Sequence, residues 1–257
     1  MKKCYFVVIS IFIQFCISAR PFCVSHRALG FGELENSIAA FRAAMRNDVD
    51  AIEFDLLHTK DGKTIVYHDK KLKRLVSGVN CPIGEKVKDL SLSQIQSHCR
   101  LINGEPIPTL NDALQVLSHG ETKLFIEFKD KPRFSDFELI EEYFKNYPEK
   151  VFIISFDGET LRQVNMLRMK SPFYQNVATV KLQKFGYFSK FEDFDMVSAK
   201  YIHKKKVKCL QDKGKLVGVY TKDKDSKIKK YLKKGVDFIT TNRPRRCLEL
   251  IFSNKIF

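Results

Sequence analysis

The chain has 257 residues, room for one α/β barrel or two small domains, and 44% of them are hydrophobic, ordinary for a chain that buries a core. Its 45 Lys and Arg against 30 Asp and Glu give a formal charge of +15, which suits an anionic substrate or surface and decides nothing about fold. None of its seven cysteines pairs at metal-ligand spacing, which argues against a cysteine metal site.

Residues 1–19 read as an export signal. Lys2 and Lys3 form a positive start, Cys4 to Ile17 is apolar apart from Ser10 and Gln14, and Ile17-Ser18-Ala19 is a small-residue cleavage site. The run falls short of the ~20 residues of a comfortable membrane span. An uncleaved N-terminal anchor is the alternative. Cleavage removes two lysines, so the mature charge is 15 − 2 = +13. It leaves Cys23, Cys81, Cys99, Cys209 and Cys247, an odd set that does not look like a disulfide scaffold. Cys81 and Cys99 flank one segment and can pair in an oxidising compartment; two buried thiols are the other reading.

Strand-like and helix-like segments then alternate. Phe22–His26 reads as a first strand, and Glu35 to Asn47 as a helix with Ile38, Phe41 and Met45 on one face and Asn36 as N-cap. Ala51–Leu57 is a second strand, and Asp61-Gly62 turns it back into Thr64–His68. Residues 70–106, with Gly78, Pro82, Gly84, Gly104 and Pro106, break the rhythm and read as a small insertion over the site, with one short helix near Ser91–Ser97. Pro108-Thr109 opens a helix to about Leu117. Further strands are expected at Lys123–Phe128, Val151–Ser155, Val177–Val180, Met196–Ala199, Leu216–Tyr220 and Asp237–Thr241. Helices are expected at Phe137–Phe144, Thr160–Met169, His203–Lys213, Ser226–Lys234 and from Pro244 to about Phe252. Eight strands alternating with helices is the count of a (β/α)8 TIM barrel; a doubly wound sheet is the alternative.

Chemistry concentrates on two strands. In Asp50-Ala51-Ile52-Glu53-Phe54-Asp55-Leu56-Leu57, residues two apart share a face, so Ile52, Phe54 and Leu56 point one way and Glu53 and Asp55 the other. Two carboxylates on one face of a buried strand cost several kcal/mol each unless something positive meets them. Glu127 and Lys129 share a face of Lys123–Lys129 in the same manner. Three carboxylates suit one divalent cation, Mg²⁺ or Ca²⁺, better than zinc. His26 and His68 each close a short apolar run, which suggests an acid/base pair. In a barrel, His26, Glu53, Asp55, Glu127 and Lys129 would sit at the carboxyl ends of strands, where barrel enzymes keep their active sites.

These residues resemble the glycerophosphodiester phosphodiesterase family. The matching pieces, in order, are His26-Arg27, Glu35-Asn36-Ser37, Ile52-Glu53-Phe54-Asp55, Thr59-Lys60-Asp61-Gly62, His68-Asp69, Ile107-Pro108-Thr109-Leu110, Ile126-Glu127-Phe128-Lys129, Val219-Tyr220-Thr221, and Gly235-Val236-Asp237-Phe238-Ile239-Thr240-Thr241-Asn242-Arg243-Pro244. The resemblance implies a (β/α)8 barrel that hydrolyses glycerophosphodiesters to glycerol 3-phosphate and an alcohol with a divalent metal. It implies Glu53, Asp55 and Glu127 as metal ligands, His26 and His68 as the catalytic pair, and Arg27 and Lys129 as phosphate contacts. Asn36 would be a supporting residue, and Tyr220 stands where the family usually has Trp, near the glycerol pocket. Ala28 stands where the family usually has Gly, and Asn242 where it commonly has Asp.

The implied chemistry has His68 as acid and His26 as base, with water or a neighbouring glycerol hydroxyl as the attacker. Two rivals remain open: a phospholipase D-like or lysophospholipase activity on the same barrel, and an exported binding protein with an inactive site. The basic runs Lys204-Lys205-Lys206 and Lys222–Lys234 read as solvated helix faces or as a patch touching anionic membrane. They lack interleaved exposed aromatics, which argues against nucleic acid. The sequence leaves open the ion, the alcohol and the oligomeric state.

Overall fold

The structure is a computed structural model that describes residues 20–185 and 193–253. The export-signal reading of residues 1–19 lies outside them.

Eight parallel strands carry the fold: β1 (Phe22–Ser25), β2 (Ala51–His58), β3 (Lys123–Phe128), β4 (Val151–Ser155), β5 (Ala178–Phe185), β6 (Met196–Tyr201), β7 (Leu216–Val219) and β8 (Phe238–Thr241). Each pairs with the next, β8 pairs with β1, and β1 pairs with β2, so the sheet closes into a (β/α)8 barrel. The strands expected at Val177–Val180 and Met196–Ala199 both run further, to Phe185 and Tyr201, because Gln183 and Phe185 find partners in Ala199 and Tyr201. The expected hairpin is present: Thr64–Val66 runs antiparallel to the end of β2, with Val66 opposite Leu56.

The two faces of the strands divide the core. Ile52, Phe54 and Leu56 of β2 and Leu124, Ile126 and Phe128 of β3 face outward into the layer of helices. The inward face begins apolar: Val24, Ala51, Phe125, Phe152 and Phe238 fill the amino-terminal end of the lumen. There the Phe125 and Phe152 rings stack with centroids 4.7 Å apart, and Phe22 stacks on Phe238 at 5.3 Å. Gly218 makes room for this plug, since a Cβ there would lie 2.1 Å from the Phe238 ring. Above the plug the same inward face turns charged, through Glu53 and Asp55 on β2 and Glu127 on β3.

Two expectations change. The first helix is Ile38–Arg46, and its N-cap is Ser37, whose Oγ accepts from the Ala40 N–H at 3.0 Å; Asn36 is diverted into the site. The 70–106 insertion carries more order than one helix. Val76–Ser77 pairs with Arg100–Leu101, and the helix Leu92–His98 starts in a capping box made by Ser91 and Gln94. Two disulfides brace the chain: Cys81–Cys99 inside the insertion, and Cys23–Cys247, which ties β1 to the closing helix Pro244–Ser253 across 224 residues. The second was not expected. Cys209 is free and exposed.

Candidate active site

The carboxylates meet because of strand register. Asp55 lies directly opposite Glu127 across the β2–β3 pair, and Glu53 is on the same inward face one pleat earlier. One oxygen from each of Glu53, Asp55 and Glu127 falls within 4.8 Å of the others, and all three side chains are buried. Like charges directly opposite one another destabilise a sheet. Here they are held by cations: Lys129 Nζ lies 2.9 Å from Glu127 and 3.4 Å from Asp55, and Arg27 Nε lies 3.3 Å from Asp55.

The neutralisation is incomplete. Glu53 Oε1, Asp55 Oδ1 and Glu127 Oε1 are buried without a hydrogen bond of proper geometry. Burial, with the charges of Asp55 and Glu127, pushes the Glu53 carboxyl well above the usual carboxylate range. Burial and Asp55 push Glu127 up to about 7. Burial also opposes ionisation of Asp55, but Lys129 and Arg27 outweigh it and leave Asp55 below its ordinary value. Three buried carboxylates converge, with Glu53 Oε1 free of any partner and Asp55 Oδ1 and Glu127 Oε1 sharing one ammonium. They match the hard, oxygen-only donor set of Mg²⁺ or Ca²⁺, so the residues fit the implied cation.

The loop after β1 wraps this cluster. Arg27 donates its backbone N–H to Glu53 at 2.8 Å and its guanidinium to Glu35 at 2.9 Å. Asn36 donates its side-chain amide to Asp55 at 2.9 Å. To reach these partners Arg27, Ala28 and Asn36 all take positive φ, at 54°, 57° and 57°. Ala28 thus keeps the left-handed backbone that a glycine would adopt there more cheaply.

The two histidines are held differently. His26 Nδ1 lies 2.7 Å from Asn242 Oδ1. Asn242 is fixed in turn by Asp223, which accepts from its backbone N–H and from its amide nitrogen, each at 2.8 Å. The amide oxygen therefore faces the ring, Nδ1 donates, and the Nε2 lone pair points toward Glu53, 4.0 Å away. His68 Nδ1 instead donates to the Asp69 carboxylate at 2.7 Å. Arg74 holds the other Asp69 oxygen at 3.0 Å and also bonds Glu35. Burial lowers the basicity of both rings, Arg27 adding to the effect at His26 and the nearby Asp55 opposing it at His68. Of the two, only His68 has a carboxylate hydrogen-bonded to its ring.

The structure brings His26, Arg27, Asn36, Glu53, Asp55, Glu127 and Lys129 into one connected cluster, with His68 close enough to feel the Asp55 charge. Tyr220 sits at the edge: its hydroxyl donates to the Gln183 carbonyl at 2.8 Å, and its ring packs edge-on against Phe156. Three positioning residues escaped the sequence reading. Asp223 holds Asn242 from an earlier loop, and Arg74 holds Asp69 from five residues along the same loop. His58 closes β2 and bridges Asp130 at 2.5 Å and Asp136 at 2.8 Å, tying β2 to the loop after β3 and the helix Phe134–Phe144. A third histidine at a strand end was the available signal. Lys222 also departs from the solvated-face reading. It is buried, and its ammonium donates to the Lys200 and Tyr220 carbonyls.

Residues 26–246 match the model of the glycerophosphoryl diester phosphodiesterase family. A glycerophosphodiester phosphodiesterase of Caldanaerobacter subterraneus is 27% identical over 241 residues, covering 89% of this chain and 96% of the relative. One from Bacillus subtilis is 26% identical, covering 88% and 84%. Among solved structures, an Oleispira antarctica phosphodiesterase in complex with the product sn-glycerol-3-phosphate superposes with a TM-score of 0.74 at 19% identity, covering 91% of this chain and 97% of that one. A putative glycerophosphodiester phosphodiesterase of Galdieria sulphuraria gives 0.71 at 24% identity, covering 91% and 100%. At these identities the structural likeness speaks for the fold.

Proposed function

The chain belongs to the glycerophosphoryl diester phosphodiesterase family, and on that footing we propose that it hydrolyses glycerophosphodiesters to glycerol 3-phosphate and an alcohol, with a divalent cation on Glu53, Asp55 and Glu127 and with His26 and His68 as base and acid. The observation that carries this reading is the convergence of three buried carboxylates within 4.8 Å, with a single ammonium shared between two of them. When bound, Mg²⁺ or Ca²⁺ would supply positive charge against the phosphoryl oxygens as negative charge grows on them. Arg27 and Lys129, already beside the carboxylates, would share the binding of the phosphodiester.

The residues divide the proton transfers. His26, whose Nδ1 proton is committed to Asn242, offers its Nε2 lone pair to the attacking hydroxyl, from water or from the glycerol itself. His68, whose Nδ1 is held by a carboxylate, can carry the second proton and donate it from Nε2 to the departing alkoxide. A P–O bond forms to the attacker and the ester P–O bond to the alcohol breaks; where a glycerol hydroxyl attacks, a cyclic phosphate forms first and water then opens it to glycerol 3-phosphate. The test is Glu53→Gln, which should abolish hydrolysis and weaken divalent-cation binding while the circular dichroism spectrum stays that of the parent. Full activity in chelator-treated buffer would overturn the reading.

A lipid-bearing substrate is the second reading. Val79, Ile83 and Ile102 of the insertion are exposed, as an acyl-chain rest would have to be. Faster turnover of lysophosphatidylcholine micelles than of glycerophosphocholine would favour it. We also propose export. Its supports are the leader-like residues 1–19 and two disulfides, which persist in oxidising compartments. Peripheral contact with anionic membrane through the exposed lysines of Lys204–Gln211 stays a proposal beside it.

A further inference from the structure

A cavity of about 550 Å³ lies between the barrel rim and the insertion, and none of the site carboxylates or catalytic histidines lines it. Its walls carry Lys70, Lys71, Lys73, Lys86 and Lys88. The fold puts them there. Residues 70–72 and 84–87 run as an antiparallel ribbon, with Leu72 N–H donating to Glu85, Gly84 N–H to Leu72, and Val87 N–H to Lys70. Lys71 stands directly opposite Lys86 in that ribbon. Like charges at opposed positions destabilise a pair of strands, and the two acids of the cavity wall do not offset them. The two acids that share the wall are engaged elsewhere: Asp69 with His68 and Arg74, and Asp130 with His58. Five lysines thus line a space large enough for a small ligand.

We propose that this cavity is a second anion site, which takes a multiply charged phosphoryl group and is separate from the carboxylate centre. The chemistry is that of several point charges around one compact polyanion. A soluble phosphoanion and the headgroup of a phosphomonoester lipid both offer it. Asp69 is the shared wall, one of its oxygens holding His68, so an occupant would sit next to the catalytic pair without touching it. The inference does not rest on the proposed reaction.

The test measures binding of inorganic pyrophosphate by titration calorimetry, with excess glycerol 3-phosphate present to fill the carboxylate centre. Vesicles of phosphatidylcholine with and without phosphatidic acid form the second arm, read by sedimentation. Lys71→Gln/Lys86→Gln should weaken binding by roughly tenfold, as expected for two exposed charge contacts. Lys145→Gln/Lys170→Gln, which removes the same charge from exposed positions outside the cavity, should leave it unchanged. Dependence on Lys71 and Lys86 with pyrophosphate assigns a soluble occupant. The same dependence seen only with phosphatidic acid vesicles assigns a lipid headgroup. Absence of binding to both probes, equal binding by parent and Lys71→Gln/Lys86→Gln, or an equal loss in Lys145→Gln/Lys170→Gln overturns the proposal. Binding of pyrophosphate that does not depend on glycerol 3-phosphate would keep this site even if the proposed reaction were wrong.

Discussion

His58 sits between two carboxylates, and replacing it should cost stability in a pH-dependent way. Burial alone would discharge the ring, but its bonds to Asp130 and Asp136 win and raise its pKa from 6.5 to about 9. At about 1.4 kcal/mol for each tenfold change in protonation, that rise corresponds to roughly 3 kcal/mol favouring the fold. The Asp136 side chain is 3% exposed but Asp130 is 36% exposed, so solvent screens one of the two contacts and about 2 kcal/mol is the better expectation. Because the folded pKa lies above the unfolded one, this stabilisation is fully present below about pH 6.5 and fades as pH rises through about 9. His58→Gln keeps a donor for one carboxylate and removes the charge. Guanidinium denaturation of both proteins, disulfides intact, should show the variant weaker by about 2 kcal/mol at pH 6, the gap narrowing to under about 1 kcal/mol near pH 9.5. Other groups titrate in both proteins and cancel in the difference. A gap that stays constant from pH 6 to 9.5 would refute the charged-bridge account.

Changing either His26 or His68 to Ala should lower kcat by roughly 10²–10⁴-fold, and a nitrophenyl ester, whose leaving group needs no proton, should rescue His68→Ala but not His26→Ala. Equal rescue would remove the assignment of roles; metal content is measured alongside, since a lost cation mimics a lost base. Cys23→Ala/Cys247→Ala should lower the unfolding free energy by about 2–5 kcal/mol, visible as a lower Tm, because the pair closes 224 residues. An unchanged Tm would mean that packing of the closing helix alone holds β1. Exported protein should begin near Arg20 on N-terminal sequencing, whereas an intact Met1 would mean an anchor.

The parts of the site that were legible in the sequence are those fixed by the two-residue period of a strand. Glu53 and Asp55 must share a face, and so must Glu127 and Lys129, whatever the rest of the chain does. Their meeting depends on the register that sets Asp55 opposite Glu127; the barrel count made the two strands neighbours, and the register comes from the structure. The ends of β5 and β6 were harder, because Lys181, Gln183 and Lys200 interrupt the apolar signal and only pairing with neighbours extends them. The partners of the histidines were hardest. Asp223 reaches Asn242 and Arg74 reaches Asp69 through loops whose shape no local periodicity records. The Cys23–Cys247 bond was hidden for the same reason: its partners meet only once the barrel has closed and the last helix has docked on β1.

Ala28 shows how a departure from the family pattern is absorbed. Left-handed backbone costs a residue with a Cβ roughly 1–2 kcal/mol, a cost glycine avoids. Yet Ala28 is buried among Ile52, Phe54 and their neighbours, where its methyl recovers about 0.8 kcal/mol of that strain. The conformation itself is imposed from outside. Asn36 donates its backbone N–H to the Arg27 carbonyl, Arg27 N–H is drawn to Glu53, and the guanidinium is drawn to Glu35 and Asp55. The turn is therefore bent by Glu35 and by two of the buried carboxylates that converge in the site. Its strain is stored beside the group whose charge holds it there, which is where strained backbone in a folded chain can be sustained.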